Sequence, residues 1–225
     1  MLTHVIHAFS KLSPRQTVVV VGHESDWVAR QVTASAPEWA NVVFAHQHEQ
    51  HGTGHATASG MSILDPGDNT DNAVVVVVPG DAPLLTADTL NELVSTHVAN
   101  NNAATLLTSL RTDPTGYGRI IRAGDDRVMR IVEQGDASPE ELDVKEVCTS
   151  IYAFQRNLLA PALDDLNTNN SQGEFYLTDV IEGLAAQGRH HGRSSPNLHR
   201  CRCHHRCRCD HPSGHRLERL YHGWR

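Results

Sequence analysis

Uninterrupted apolar runs alternate with helically spaced segments along the first half of the chain. Thr17-Val18-Val19-Val20-Val21-Gly22 is β-branched throughout and ends on glycine, the pattern of a strand buried on both faces. Residues 42–46 repeat that pattern, residues 73–78 predict a third strand and residues 103–110 a fourth. Between them, Ser25 opens a helix to about Ser35, with Pro37 beyond it. Thr53 is expected to cap a helix reaching about Leu64, before a loop at Asp65-Pro66-Gly67-Asp68-Asn69. Thr86 and Asp88 open another, to about Val98, and the first eleven residues read as an amphipathic helix. Beyond residue 110 the pattern changes. Gly118 to Arg122 and Arg127 to Glu133 flank a polar turn and predict a hairpin. A strand at 146–154 follows, then helices at 156–166 and 174–186. No repeat is visible. This order predicts an α/β fold with a doubly wound, Rossmann-like sheet, helices on both faces, and a hairpin insertion over the substrate end.

Length agrees with one such domain, alone or with a tail. The net charge of −7 conceals two unlike parts. Residues 1–188 carry 10 Lys+Arg against 24 Asp+Glu, whereas residues 189–225 carry 9 Arg, no Lys and 2 acids. Half of the 16 histidines and four of the five cysteines also lie in that last stretch. The domain is therefore expected to span 1–188, with 189–225 as an Arg/His/Cys-rich tail. Cys201, Cys203, Cys207 and Cys209, with His204 and His205, could bind zinc in principle. Their Cys-x-Cys spacing is atypical and no apolar residues surround them, so we read the tail as disordered or frameshifted. No apolar run approaches the ~20 residues that span a bilayer, and the start lacks the pattern of a signal peptide. A cytoplasmic protein is expected, acting on small molecules and not on nucleic acid or membrane.

Two segments carry candidate chemistry. In an open α/β sheet, ligands sit beyond the carboxyl ends of the strands. Gln47-His48-Glu49-Gln50-His51-Gly52-Thr53-Gly54-His55-Ala56 follows one strand, and Pro79-Gly80-Asp81-Ala82-Pro83-Leu84 follows another. Asp81 can hold magnesium against phosphate oxygens, since that ion takes one or two protein carboxylates and leaves the rest to water and phosphate. Gly80 keeps the approach open, while the alternative is a turn aspartate. Gly52 and Gly54 permit close approach of a base or ribose, and the Gln47 amide can pair with an imide edge such as that of uracil. The alternative there is a plain glycine-rich loop. Pro114-Thr115-Gly116-Tyr117-Gly118-Arg119-Ile120 can bring backbone amides to a sugar or phosphate, or simply bend a hairpin. Glu133 can accept from sugar hydroxyls, or be an exposed strand-end carboxylate. Cys148 reads as a core thiol, and His55 as structural.

Together with Ile131-Val132-Glu133, Asp136-Ala137 and Asn169-Asn170-Ser171-Gln172-Gly173-Glu174-Phe175-Tyr176-Leu177-Thr178-Asp179, these motifs occur in order from about Leu2 to Gly188. In that arrangement the chain resembles the uridyltransferase half of the bacterial bifunctional N-acetylglucosamine-1-phosphate uridyltransferase/glucosamine-1-phosphate acetyltransferase family. The resemblance implies uridylyl transfer from UTP to N-acetylglucosamine 1-phosphate, giving UDP-N-acetylglucosamine and pyrophosphate for cell-envelope synthesis. It implies that Gln47, Gly52, Thr53, Gly80 and Asp81 face the nucleotide, with Asp81 binding Mg2+ as the catalytic and metal residue. Gly118, Glu133 and Cys148 would face the amino sugar.

The chain departs from the family in several places. It opens beyond the family's Leu-Ala-Ala-Gly-x-Gly-Thr-Arg-Met loop and Pro-Lys pair, so the sheet is expected to miss its first strand. Cys148 stands for an asparagine and Ser150 for a glycine, and the second metal-binding asparagine is replaced by the tail. The β-helix of the acetyltransferase half is absent, so oligomerisation through it is not expected. The 225 residues are accordingly expected to be impaired or inactive. A non-catalytic uridine- or metal-binding remnant, or a nucleotidyltransferase using another nucleoside triphosphate, remain as alternatives.

Overall fold

The computed structural model describes residues 1–22, 25–65, 73–124, 127–190 and 198–202. β1 (Thr17–Val21) and β2 (Val42–His46) pair in parallel, with Thr17 opposite Val42 and Val21 opposite His46. Side chains alternate across a strand, so Val19 and Val21 share one face. There they join Val32 of α2 (Ser25–Ser35), Ala40 of a 3-10 turn at Glu38–Ala40, and Ile6 of α1 (Leu2–Ser10) in a small core. Val18 and Val20 meet Gly60 of α3 (Thr53–Met61) on the other face.

The second sheet has six strands. β3 (Val74–Val77), β4 (Ala104–Leu110) and β5 (Arg119–Arg122) are followed by β6 (Val128–Val132), β7 (Glu146–Gln155) and β8 (Leu198–Arg202). The long β7 organises the sheet, lying antiparallel to β3, β4 and β5. β5 and β6 form the expected hairpin, and β8 runs parallel to β4. Alternation divides the valine run of β3 between two cores. Val75 and Val77 pack with Met61 of α3, Leu159 of α6 (Arg156–Asp164) and Ile181 of α7 (Asp179–His190). Val74, Val76 and Val78 pack with Val5 and Ala8 of α1, and with Leu90 and Leu93 of α4 (Ala87–Ala99). Burying a leucine fully stabilises by about 1.5–3 kcal/mol, and the 3.6-residue period sets Leu90 and Leu93 on one face. The Rossmann-like α/β architecture with helices on both faces is thus borne out.

Strand direction was not legible. The apolar pattern of β7 is the same whichever way the strand runs, and it does not disclose the three antiparallel partners. The two sheets share no ladder among the described residues, although α1 serves both: its Ile6 packs against β1 and its Val5 against β3. Every residue of β3 is half-buried, whereas β7 is fully buried at the four residues from Ile151 to Phe154.

Several boundaries also move. Gly52, not Thr53, is the N-cap of α3, and the helix ends at Met61. α7 begins at Asp179, so residues 174–178 are an irregular segment instead of its first turn, and the helix runs past Gly188. α5 (Pro139–Leu142) carries a capping box in which Ser138 and Glu141 satisfy each other's backbone amides, an unread signal. Within the segment read as a tail, residues 198–202 form β8. Pro66 to Asn69, the hairpin tip Asp125-Asp126, and residues 203–225 with Cys203, Cys207 and Cys209 lie outside the described residues.

One buried group makes the fold sensitive to acid. His97 of α4 is 2 % exposed. Asn102 Nδ2 donates to Thr105 Oγ1 at 3.0 Å, and His97 Nδ1 lies 3.1 Å from the same hydroxyl. Burial pulls the pKa of this ring from 6.5 down to about 4, which leaves it neutral at ordinary pH. Between those values the unfolded chain holds more protons than the folded one, so stability falls as pH drops through the window. At ~1.4 kcal/mol per unit, less some solvent screening, the loss is on the order of 2 kcal/mol. Urea unfolding at pH 7 and pH 4.5 should show it, and His97→Asn should flatten the difference by that amount. Equal pH dependence in both proteins would refute it.

Candidate active site

Sequence around the glycine loop explains its shape. Gln47 follows β2, its amide N–H donates to Val21 O at 2.8 Å, and its side chain is buried. Its Nε2 donates to Gly52 O at 3.3 Å and lies 3.1 Å from His55 Nδ1. Gly52 has φ 104° and ψ 179°, a region essentially closed to other residues. A methyl there would sit 2.6 Å from Phe175 O, and one at Gly54 would sit 2.4 Å from Leu166 Cδ1. These glycines therefore accommodate the chain's own segment 166–175. Gly54 N donates to Phe175 O and Phe175 N to His51 O, both at 2.8 Å. Thr53 is exposed, and its Oγ1 accepts from Leu177 N at 3.0 Å.

The same irregular segment reaches a second group of candidates. Thr178, buried next to Leu177, donates from Oγ1 to Glu133 Oε1 at 3.1 Å. Glu133 follows β6 directly and leans on Gly118, where a methyl would lie 3.3 Å from both carboxylate oxygens. Burial raises the pKa of Glu133, with Asp179 and Asp136 adding to the effect and the Thr178 bond opposing it. Asp136 is itself fixed by Ser171, whose N and Oγ donate to it at 2.8 and 3.1 Å. Three carboxylates and a hydroxyl suit a neutral ligand rich in O–H and N–H donors better than a bare phosphate.

Cys148 joins this group through a two-residue bulge in β7. The β4 register jumps from Leu107↔Ile151 to Thr108↔Cys148, leaving Thr149 and Ser150 unpaired with β4. Thr149 Oγ1 donates to Leu107 O at 2.7 Å, and Ser150 takes φ 60°, left-handed backbone that glycine adopts freely. Cys148 N donates to Gly118 O at 2.9 Å, and its Sγ lies 3.1 Å from Tyr152 Oη. Burial pushes the thiol up to about 11, so it stays neutral and unreactive at ordinary pH.

Gly52 and Thr53 thus meet one end of segment 174–178, with Gln47 bonded to Gly52, and Glu133 meets the other, with Gly118 and Cys148 beside it. Thr178 and the backbone of Phe175 are the residues that sequence reasoning overlooked as linkers. Their signal was present in Phe175-Tyr176-Leu177-Thr178-Asp179, which helical periodicity absorbed into α7. Asp81 and Gly80 stand apart. Both are exposed in the turn after β3, and Asp81 makes no hydrogen bond or ion pair with described residues. No cluster of three or more metal-ligating side chains exists among the described residues. A lone, unpaired carboxylate suits a hard cation that draws its other ligands from water and phosphate. A cavity of about 490 Å³ is lined by Asp113, Thr115, Arg119, Gln134 and Lys145. No described helix is long and apolar enough to cross a membrane.

A model of the nucleotidyl transferase family matches residues 1–198. The bifunctional protein GlmU of Mycobacterium leprae is 46% identical over 190 residues, covering 84% of this chain and 38% of that protein. The bifunctional protein GlmU of Corynebacterium aurimucosum is 46% identical over 191 residues, with the same shares. The chain thus spans 38% of the length of these curated relatives. Among solved structures, a UDP-glucose pyrophosphorylase complexed with UDP-glucose aligns with TM-score 0.59 at 13% identity, over 83% of this chain and 75% of that one. At that identity the likeness concerns the fold.

Proposed function

The chain belongs to the nucleotidyl transferase family, and from that premise we propose that its site is built for uridylyl transfer from UTP to N-acetylglucosamine 1-phosphate. One observation carries the reading. Segment 174–178 binds the glycine loop through Thr53 and Gly54 and the Glu133 carboxylate through Thr178, so base-side and sugar-side groups share one support. A phosphate oxygen of the sugar phosphate would attack the α-phosphorus of UTP. The new P–O bond forms as the bond to the β-phosphate oxygen breaks, and pyrophosphate leaves. No general base is required, because the nucleophile is already anionic.

In this reading Gln47, Gly52 and Thr53 hold the uridine, while Glu133 accepts from sugar hydroxyls beside Gly118 and Cys148. Asp81 would hold Mg2+, which when bound neutralises phosphate charge and orients the leaving pyrophosphate. A cytoplasmic location is part of the same proposal. None of the gathered residues is cationic, and the chain holds only two lysines, Lys11 and Lys145. One missing transition-state contact can cost ~3 kcal/mol, so these residues alone should turn over slowly.

UTP-dependent pyrophosphate release from the purified chain, with N-acetylglucosamine 1-phosphate as acceptor, tests the proposal. Slow turnover that needs this acceptor and prefers UTP supports it, and equal rates with unrelated sugar phosphates would overturn it. Cys148→Asn offers a finer probe, because an amide supplies two hydrogen-bonding groups where the thiol supplies one weak one. It should lower the sugar phosphate's dissociation constant about fivefold, a gain of ~1 kcal/mol, measured by calorimetry. An unchanged constant in a folded variant would remove Cys148 from the sugar site.

A further inference from the structure

We propose that His55 is a positioning residue that fixes the amide of Gln47 and thereby biases the site toward bases carrying an imide N–H. The proposal deepens, and rests on, the reading of this loop as a base-binding site. Its geometry begins with Gly52 O, which can only accept. The amide edge of Gln47 that lies 3.3 Å from it is therefore the NH2 group. That same nitrogen lies 3.1 Å from His55 Nδ1. Both amide protons are then committed, one to the carbonyl and one to the ring. Nδ1 must be a bare acceptor, which puts the imidazole proton on Nε2 and leaves the ring neutral.

The anchors are themselves held. Gly52 O also accepts from Ala56 N at 3.1 Å, the first bond of α3, and His55 sits in the first turn of that helix. The His55 ring packs at 5.2 Å on His51, whose Nε2 lies 2.6 Å from Glu49 Oε2. A lone glutamine amide can present either a donor or an acceptor, because turning it over costs little. Here turning it over would set Oε1 against Gly52 O, and would also lose the bond to Nδ1 unless the ring moved its proton from Nε2. Of the Gln47 side chain, the amide carbonyl is consequently the group left to meet a ligand. At a pyrimidine N3 it complements the N–H of uracil and repels the lone pair of cytosine.

Three measurements on the full 225-residue chain test this. Nitrogen-15 NMR of the His55 imidazole should show a protonated Nε2 and a bare Nδ1. Titration calorimetry with UTP and with CTP should show a preference for UTP in the unaltered chain. His55→Phe keeps a ring and removes the acceptor, and should reduce that preference about tenfold. His55→Asn, whose Oδ1 can accept in place of Nδ1, should restore most of it. A proton on Nδ1, or an undiminished preference in folded His55→Phe, would overturn the proposal. Failure of the unaltered chain to bind either nucleotide would instead sink the base-binding reading, and this specificity role with it. A bare Nδ1 in that case would mark His55 as a purely structural brace.

Discussion

Gly52→Ala is expected to destabilise the protein by about 4 kcal/mol, lowering its melting temperature by roughly 10 °C. Two independent costs add at this position. The backbone at φ 104° and ψ 179° is open almost only to glycine, and forcing another residue into such a conformation costs ~1–3 kcal/mol. The added methyl also lies 2.6 Å from Phe175 O, 2.9 Å from Glu174 Cβ and 3.0 Å from Phe175 N. Backbone and an anchored Cβ cannot swing aside as a side-chain tip can, so overpacking adds ~1–3 kcal/mol. Gly116 supplies the internal control. Its φ is 85°, but nothing lies within 4 Å of a methyl placed there. Gly116→Ala should therefore show the backbone cost alone, about 1 kcal/mol. Thermal and urea unfolding of both variants separates the contributions. A Gly52→Ala protein melting within about 2 °C of the Gly116→Ala protein would show that the contact with 174–175 is not rigid.

Such a loss would propagate. Segment 174–178 is held by His51, Thr53 and Gly54 at one end, and its Thr178 holds Glu133 at the other. Pushing Phe175 away from Gly52 therefore loosens the Glu133 carboxylate as well as the glycine loop.

This coupling marks the limit of what the chain reveals as text. The strands, the hairpin and the α4 cap were legible because they rest on local rules. Valine runs bury both faces, and Thr86 Oγ1 accepts from Thr89 N at 3.2 Å as its position before a helical segment suggests. The candidate site residues were named from motifs, and the structure sets two of them, Glu133 and Gly118, side by side. What could not be read is non-local. The antiparallel course of β7 depends on where β3, β4 and β5 come to rest, which no periodicity in residues 146–155 encodes. Glycines 52 and 54 were read as making room for a ligand, whereas their nearest neighbours belong to Leu166, Glu174 and Phe175, more than a hundred positions away. His55 was read as structural because a single histidine on a helix carries no pattern. Its bond to Gln47 exists only once the loop between them has closed.

Asp81→Asn should leave the fold intact and abolish the magnesium dependence of UTP binding. The side chain is exposed and makes no hydrogen bond or ion pair with described residues, so removing its charge takes nothing from the folded state. Melting temperature should shift by less than about 2 °C, as for surface substitutions generally. That distinguishes the two readings of this residue. A turn aspartate would hold the turn through its carboxylate, and its loss would lower stability with no effect on ligand binding. A metal-binding aspartate carries a full charge that asparagine lacks, and a neutral amide is a much poorer partner for magnesium. Calorimetry with UTP in the presence and absence of Mg2+ reads the difference. The unaltered chain should bind more tightly with the ion, and the variant should lose at least tenfold of that gain. Where turnover is measurable, removal of one electrostatic contact to the transferring phosphate corresponds to a fall of about 10²–10³ in rate. A variant that keeps the full response to magnesium while melting several degrees lower would return Asp81 to the turn, and leave the reaction proposed here without its metal-binding residue.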